Sequence, residues 1–389
     1  MRAFLLASLL FAACGDDDAG AADGGADDLG APRDARPRDP DANHIGTALD
    51  PAVYAYEWTC SGEVPGSGAP LDAEPPSEDC SAGVWPDLEP ALVCPTVTEV
   101  TREDPASGQS LPLDDARSLP LTLPVSESGS FLPADLPTTW PATLKVVSWN
   151  MEYTRNLDAQ IETLTTHPDL VDADVWLLSE VDRCSTRNDV RRAARLLAQA
   201  VQGAYVYGIE FVELSIGREV GGDTGQAIVS RRPLSGAGLL CHSAHYDWFG
   251  SDDEPRLGSR VVLGADVPVG DTSTRVWAVH FESNDFLGEF RAVQAKELLD
   301  AAQATACDRP QVIAGDFNAW YVQAPELDVV RRSGFTDAMM TLGDAEATHD
   351  NGFRLDYVFA RGLEVVDGAV LREVDTSDHY PVWVEMRVE

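Results

Sequence analysis

The stretch VIAGDFNAW, residues 312–320, combines a short apolar run with two polar side chains that follow it directly. Residues 312–314 are typical of a strand that is buried on both faces. Gly315 allows a tight backbone turn, and Asp316 and Asn318 then lie one residue apart at the strand's C-terminal end. Because side chains alternate along an extended backbone, both should point to the same side. A carboxylate beside an amide suits the handling of a proton and an oxyanion, although an isolated motif of this kind is as typical of a turn.

Similar patterns predict the surrounding elements. Apolar runs predict strands over 144–149, 175–178, 204–214, 225–232, 260–269, 275–280, 354–360 and 380–388. Apolar residues at helical spacing predict helices over 191–202 and 290–304 and around 326–333. Because strands outnumber helices, the sequence predicts a sheet-rich, layered α/β fold.

Polar residues follow the ends of several predicted strands. Asn150, Glu180 and His280 each lie at or just after such an end, as Asp316 and Asn318 do. Strand ends in a layered α/β protein gather along one edge, where ligands bind. Three further polar residues lie near the last two strands: Asp356 within RLDY, and Asp378 and His379 within TSDHYPV.

Six segments between residues 144 and 389 together resemble the endonuclease/exonuclease/phosphatase superfamily. In order they are WNMEY, LLSEVD, AVHFES, GDFN, RLDY and SDHYP. The superfamily includes abasic-site endonucleases, pancreatic-type deoxyribonuclease, neutral sphingomyelinases and inositol-polyphosphate phosphatases. The resemblance implies a four-layer α/β sandwich, in which two mixed β-sheets pack face to face with helices on the outside. It also implies metal-dependent hydrolysis of a phosphoester.

The resemblance assigns one group of residues to a divalent metal, usually Mg²⁺, with Mn²⁺ or Ca²⁺ as alternatives. Glu180 matches the principal ligand, since a hard cation prefers carboxylate oxygen. Asn150 matches a residue beside the metal, and Asp378 is expected close to it. Glu152 stands where some nucleases of the superfamily have Asp, and its longer side chain puts direct coordination in doubt.

A second group matches the residues that act on the phosphoester. His379 matches the catalytic histidine, with Asp356 oriented against it. Asp316 and Asn318 match residues that handle the attacking water or leaving group and hold the phosphoryl oxygen. His280 matches a second histidine of the deoxyribonuclease and sphingomyelinase branches, where abasic-site enzymes have tyrosine. Whether Asp316 or His379 is the base stays open.

The charge of the chain bears on its substrate. The net charge is −37: residues 1–143 contain 6 Lys+Arg and 25 Asp+Glu, and residues 144–389 contain 22 and 40. Such a surface disfavours sequence-independent DNA binding, although a bound metal can reverse the sign locally. Arg256 and Arg260 are expected either to contact a substrate phosphate or to lie on a solvated strand edge. Three further histidines of this region, His242, His245 and His349, are expected to be structural or surface residues.

The N-terminal region predicts export. Residues 1–14 have one Arg, a short apolar run and small residues before Cys14, as in a bacterial lipoprotein signal, although Phe11 replaces the usual leucine. The alternative is an ordinary cleaved signal peptide. Residues 15–47 are rich in Asp, Ala, Gly and Pro, which predicts a disordered acidic linker.

Residues 48–143 predict an irregular, Pro-rich extension that packs on the main domain, 144–389. The extension contains Cys60, Cys80 and Cys94, and the main domain contains Cys184, Cys241 and Cys307. Each segment therefore has an odd number of cysteines. If all six pair, at least one disulfide joins the extension to the main domain.

The leading hypothesis is an exported metal-dependent phosphoesterase that is held to a membrane by a lipid on Cys14. Its substrate would be a nucleic acid, a phospholipid or a small phosphoester, and no protein partner is evident. A nuclease competes with a sphingomyelinase-like phospholipid phosphodiesterase, for which YDWF at residues 246–249 is a candidate membrane loop. A different class is a non-catalytic surface binding module on the same fold.

Overall fold

The computed structural model describes residues 126–213, 222–246, 248 and 256–388, and the backbone of three short strands at 44–45, 101–103 and 110–112. The predicted signal segment, the acidic linker, most of the extension with its three cysteines, and part of the YDWF loop lie outside the described residues. No helix in the described ranges is long and apolar enough to cross a membrane.

Two sheets contain most of the strands. In the described residues the larger sheet has nine: β4 (Ser126–Ser130), β5 (Thr143–Asn150), β6 (Val175–Ser185), β7 (Arg191–Arg192), β8 (Ala204–Glu213), β9 (Asp223–Ser230), β12 (Arg256–Gly258), β18 (Leu363–Val370) and β19 (Val382–Val388). The smaller sheet, counted in the same way, has six: β10 (Ser235–Cys241), β13 (Val261–Val269), β14 (Thr272–His280), β15 (Gln311–Asp316), β16 (Thr336–Asp337) and β17 (Asp356–Arg361). Two short ribbons pair β1 (His44–Ile45) with β11 (His245–Tyr246) and β2 (Thr101–Glu103) with β3 (Ser110–Pro112).

Both sheets are mixed. The pairs β5–β6 and β14–β15 are parallel, and their neighbours β19 and β17 run antiparallel to them. Five helices connect the strands of the described region: α1 (Leu157–Thr166), α2 (Ala193–Val201), α3 (Glu289–Ala306), α4 (Pro325–Arg332) and α5 (Ala338–Leu342). Side-chain capping fixes two of the helix starts. Asp285 accepts the N–H groups of Glu289 and Arg291 at α3, and Asp337 accepts that of Met340 at α5.

Three apolar clusters separate four layers. The middle cluster lies between the sheets, the second packs α1 and α2 on the larger sheet, and the third packs α3 and α4 on the smaller sheet. Successive side chains of a strand point to opposite faces, so they enter different clusters. Val146 and Ala314 lie in the middle cluster, Val147 lies in the cluster under α1 and α2, and Ile313 lies in the cluster under α3 and α4. The structure therefore confirms the predicted sandwich of two mixed sheets with helices outside.

Several elements differ from the prediction. Helices α1 and α5 and strands β10 and β18 were not predicted, because their sequences have weak or mixed periodicity. Strand β6 continues beyond residue 178 to Ser185 through VDRCS. Charged residues of this continuation are buried only because cross-strand partners neutralise them, as Asp223 does for Arg183 with a 2.9 Å ion pair.

The three cysteines of the domain, Cys184, Cys241 and Cys307, are each in a disulfide. Because the cysteines of the extension lie outside the described residues, the predicted cross-link between extension and domain stays a prediction.

Candidate active site

The strand directions explain why polar residues meet at one edge of the sandwich. In the larger sheet β5 ends at Asn150, and its antiparallel neighbour β19 begins just after His379. In the smaller sheet β14 ends at His280 and β15 at Asp316, while antiparallel β17 begins at Asp356. All of these ends lie at the same edge, and contacts between their side chains cross from one sheet to the other.

His379 and Asp356 form a buried pair. Their Nδ1 and Oδ2 atoms are 2.8 Å apart, and Thr348 Oγ1 donates a second hydrogen bond to Oδ2 at 2.7 Å. The same Thr348 oxygen accepts the backbone N–H of Asp356, and Trp149 Nε1 donates to the carbonyl oxygen of His379 at 2.9 Å. The carboxylate therefore fixes the ring orientation, and leaves Nε2 to face the cleft.

The charges around His379 determine its protonation. Burial opposes the charged imidazolium, but the Asp356 carboxylate, with Asp316 and Asp378, outweighs that effect and raises the pKa of His379 well above its usual value. This raised pKa favours the protonated form of His379 in the metal-free protein.

Asp316 lies at the centre of the site. Its Oδ2 is 3.3 Å from Asn150 Nδ2, which donates to it, 3.7 Å from His379 Nε2 and 3.8 Å from His280 Nε2. Its Oδ1 accepts the backbone N–H of Asn318 at 2.8 Å, and Asn318 Nδ2 donates to the carbonyl of Phe281. The structure thus brings together five of the residues that the sequence assigned to the site.

His280 is held by Glu210, which was not predicted, and by Arg260, for which a different role was expected. Glu210 Oε2 lies 3.4 Å from its Nδ1, and Arg260 Nη1 lies 2.9 Å from the same atom. Arg260 also donates to Glu210 Oε1 at 2.7 Å. Burial raises the pKa of Glu210, but Arg260 and His280 outweigh this and hold it below its usual value. On its other side, His280 Nε2 lies 3.7 Å from Glu180 Oε1.

The expectation of a solvated edge for Arg256 and Arg260 is wrong, because both are buried. Arg256 donates to Tyr153 Oη at 2.9 Å, and Arg260 belongs to the support of His280. A sequence signal existed for Glu210: an acidic residue in an otherwise apolar strand needs a buried partner. Only the sheet pairing shows which partner it has.

The predicted metal residues lie on the larger-sheet side of the cleft. Glu180 occupies a bulge in β6 with φ of 52°, rather than following the end of that strand. Asn150 Oδ1 accepts the N–H of Glu152 at 3.0 Å, and Glu152 Oε2 accepts the N–H of Asp378 at 3.3 Å. Glu152 Oε1 is also 3.4 Å from Arg155 Nη1, so this carboxylate is already engaged.

These residues fit a divalent cation by their donor chemistry. Glu180, Asp378 and Asn150 offer the carboxylate and amide oxygens that Mg²⁺ and Ca²⁺ prefer. Hydrogen bonds through Glu152 link Asn150 to Asp378, and Glu180 Oε1 lies 3.7 Å from His280 Nε2. The neighbouring carboxylates, Asp316 and Asp356, add negative charge that a cation would offset.

His349 was expected to be structural or a surface residue, but it lines the site. Its ring lies 4.3 Å from that of His379, centroid to centroid, and its Nε2 is 3.7 Å from Asp378 Oδ2. One potential ligand atom from each of His349, Asp378 and His379 lies within 4.8 Å of the other two. This group shares only Asp378 with the predicted metal ligands. His242 and His245 are buried away from these contacts, as structural residues would be.

A model of the family described as "Endonuclease/Exonuclease/phosphatase family" matches residues 147–379. Among curated proteins, a UPF0294 protein of Yersinia enterocolitica is 37% identical over 101 residues, which are 24% of this chain and 36% of that protein. A UPF0294 protein of Klebsiella pneumoniae is 35% identical over 96 residues, 24% of this chain and 35% of that protein. The chain spans about a third of the length of these curated relatives.

Solved structures are also similar. An endonuclease/exonuclease/phosphatase of Beutenbergia cavernae has a TM-score of 0.49 at 22% identity, covering 63% of this chain and 72% of that one. The catalytic domain of human Nocturnin, solved with a bound sulfate, has a TM-score of 0.46 at 16% identity, covering 65% and 97%. D. rerio TDP2, solved with a single-stranded DNA product, has a TM-score of 0.44 at 19% identity, covering 63% and 99%.

Proposed function

The chain belongs to the endonuclease/exonuclease/phosphatase family, and we propose that it is a divalent-metal-dependent phosphoesterase that cleaves phosphodiester bonds. The family includes metal-dependent nucleases and phosphatases. The observation that carries the proposal is the position of Asp316, whose Oδ2 lies 3.7 Å from His379 Nε2 and 3.8 Å from His280 Nε2. One carboxylate and two imidazoles therefore face a common point, where a phosphoryl group can lie.

The protonation of these groups suggests their roles. Cationic His379 is a hydrogen-bond donor, so it stabilises negative charge on a phosphoryl oxygen. Asp316 is an acceptor, and it orients the attacking water and takes its proton. Asn150 donates to Asp316, which keeps that carboxylate aimed into the cleft. His280, held by Glu210 and Arg260, donates to the phosphoryl group from the opposite side.

Glu180, Asn150 and Asp378 are the residues that would hold the cation, which we propose is Mg²⁺ or Mn²⁺. When bound, it supplies neutralisation of the charge that develops on the phosphoester oxygens. Glu152 orients this group through its hydrogen bond with Asp378, and its pairing with Arg155 makes it a supporting residue. The metal-independent part of the site is the His379–Asp356 pair, which the fold preorganises.

The test is hydrolysis of bis-p-nitrophenyl phosphate by the full chain with Mg²⁺, Mn²⁺ or Ca²⁺, followed by EDTA. We expect turnover of the diester that EDTA abolishes. Turnover of the monoester p-nitrophenyl phosphate should be slower. His379→Ala should lose turnover, while His167→Ala should keep it, because the His167 ring pairs with exposed Glu373 rather than with a residue of the site. Absence of turnover with every metal, or full activity of His379→Ala, would refute the proposal and favour a non-catalytic binding module.

We also propose that the protein is exported and carries a lipid on Cys14. The three disulfide-bonded cysteines of the domain support an oxidising compartment outside the cytoplasm. Mass spectrometry of the native N-terminal peptide tests this directly. An acylated Cys14 at the mature N-terminus is the expected result, and an intact Met1 in the purified native protein would contradict it.

A further inference from the structure

His349 and His379 face each other across a short antiparallel bridge. Two backbone hydrogen bonds close the bridge, one on each side of the pair: from Asp350 N–H to the carbonyl of Asp378 at 2.9 Å and from Tyr380 N–H to the carbonyl of Thr348 at 2.7 Å. This pattern makes the histidines a non-hydrogen-bonded pair, in which opposed side chains lie closest and on the same side of the ribbon. The backbone therefore holds the two imidazoles together.

Three ligand atoms converge beside this bridge. His349 Nε2 lies 3.7 Å from Asp378 Oδ2, and one ligand atom from each of these residues and His379 lies within 4.8 Å of the other two. Both imidazoles are buried, so little water competes for their nitrogen atoms. Two imidazoles and one carboxylate make a three-ligand set of the kind that holds Zn²⁺ with one position left for water.

Each imidazole has a carboxylate behind its ligand atom. Asp356 Oδ2 lies 2.8 Å from His379 Nδ1, and Asp350 Oδ1 lies 2.8 Å from His349 Nδ1. A carboxylate in this position fixes the tautomer of a ligating imidazole and raises its basicity. His349 Nδ1 also accepts the N–H of exposed Asn351 at 3.0 Å. Binding at Nε2 moves the ring proton to Nδ1, where Asp350 accepts it and the Asn351 amide is left to water.

The ligand types distinguish this position from the proposed Mg²⁺ position beside Glu180. Imidazole nitrogen suits Zn²⁺, whereas Mg²⁺ prefers oxygen ligands. Asp378 is the one residue that both positions share. The Asp316 carboxylate, with Oδ2 3.7 Å from His379 Nε2, adds negative charge that favours a cation here.

We propose that His349, His379 and Asp378 form an inhibitory site for Zn²⁺. This rests on the proposed function and adds a regulator of the same cleft. Zn²⁺ displaces the proton of His379 Nε2 into solvent and occupies the atom through which this ring contacts the phosphoryl group. It also draws Asp378 away from the catalytic cation. The ion therefore stops turnover without replacing the cation beside Glu180.

The first experiment measures binding of Co²⁺ to the full chain by its visible absorption. Excess Mg²⁺ fills the position beside Glu180, and added Zn²⁺ should displace Co²⁺ and abolish the absorption. His349→Gln should weaken Co²⁺ binding at least about tenfold, because even an outer partner of a ligand is worth about 10–100-fold. His167→Gln is the matched control: the His167 ring pairs with exposed Glu373, and this variant should bind like the parent.

A second variant keeps the test valid if His349→Gln folds poorly. Asp350→Asn leaves both imidazoles in place, and its position is exposed, so the fold should tolerate it. It removes the carboxylate behind His349 Nδ1 and should weaken Co²⁺ binding about tenfold. Equal Co²⁺ binding by the parent and both folded variants overturns the proposal.

The second experiment adds Zn²⁺ during hydrolysis of bis-p-nitrophenyl phosphate in Mg²⁺. Each rate is divided by the same variant's rate without Zn²⁺, so differences in basal activity do not enter. His349→Gln should need at least about tenfold more Zn²⁺ than the parent for the same inhibition. If Zn²⁺ instead replaces Mg²⁺ beside Glu180, both proteins are inhibited alike, and that result overturns the proposal. Absence of any turnover refutes the proposed function alone, because the Co²⁺ spectrum reports the histidine site without catalysis.

Discussion

The imidazole of His379 and the carboxylate of Asp356 lie 2.8 Å apart, although the chain segments that contain them lead into different sheets of the sandwich. Asp356 is the first residue of β17 in the smaller sheet, and His379 precedes β19 in the larger one. The pair therefore exists only when the two sheets are packed, and it couples the geometry of the site to the fold.

The first prediction concerns Asp356→Asn. Removing the carboxylate should lower the pKa of His379, since Asp356 is the strongest influence that raises it. Turnover should fall by about 10²–10⁴-fold, as when a histidine loses its orienting acid. The measurement is an NMR titration of the His379 ring in the metal-free protein. The ring should titrate at a clearly lower pH in the variant than in the parent, and identical titration curves would contradict the assigned pairing.

The same pair has a stability consequence with a definite sign. Folding raises the pKa of His379, so protonation of this ring contributes to the free energy of unfolding. That contribution is complete below the pKa of the unfolded state, about 6.5, and is lost as the pH rises through the pKa of the folded state. The metal-free parent should therefore lose more stability than Asp356→Asn between neutral and alkaline pH. Identical pH profiles for the two proteins would contradict the assigned interaction.

The second prediction concerns the support of His280. Glu210→Gln removes the carboxylate that pairs with buried Arg260, which should cost about 3–5 kcal/mol of unfolding free energy. Turnover should also fall, because His280 loses one of the two groups beside its Nδ1 and the other, Arg260, loses its carboxylate partner. Urea unfolding and hydrolysis assays measure the two effects. Glu364→Gln is the control, since Glu364 forms an exposed ion pair with Arg387 and should change neither quantity by a large amount.

The third prediction concerns the core beneath the site. Phe317 is buried between Asp316 and Asn318, and its ring contacts Phe281, Tyr357 and Phe359 at centroid distances of 4.9, 5.5 and 5.4 Å. Phe317→Ala should cost about 3–5 kcal/mol in a urea unfolding experiment. Val366→Ala, at an exposed position of β18, should cost less than about 0.5 kcal/mol. Similar losses for both variants would show that the outer cluster is not packed as described.

The fourth prediction concerns the disulfides. Non-reducing peptide mapping of the native protein should find at least one peptide with Cys184, Cys241 or Cys307 linked to a peptide from residues 1–143. Free thiols at all three positions, in protein isolated without reductant, would contradict the structure.

Much of the site could be predicted from the sequence, because a polar residue that directly follows an apolar run marks the end of a strand. Asp316 and His280 terminate apolar runs, so their position on the sheet edge follows from periodicity alone. Glu180 was predicted at the right edge but in the wrong local structure, because the bulge in β6 depends on its pairing with β9.

The contacts that the sequence did not predict have a different explanation. Glu210 and Arg260 are partners from separate strands, and their pairing depends on how β8 and β13 approach the site across the sandwich. His349 lies in a loop whose sequence has no periodicity, and its contact with His379 depends on the backbone bridge between these two residues. Such contacts between distant segments are set by tertiary packing, which no local pattern encodes.

We propose that Glu180 and its neighbours hold a cation beside the His379–Asp316 pair. Anomalous diffraction from crystals grown with Mn²⁺ would locate such an ion. A peak is expected at coordinating distance from the Glu180 carboxylate, on the side of the cleft where Asn150 and Asp378 lie. A peak held by His349 and His379 with Glu180 unliganded, or no peak in the cleft at saturating Mn²⁺, would contradict it.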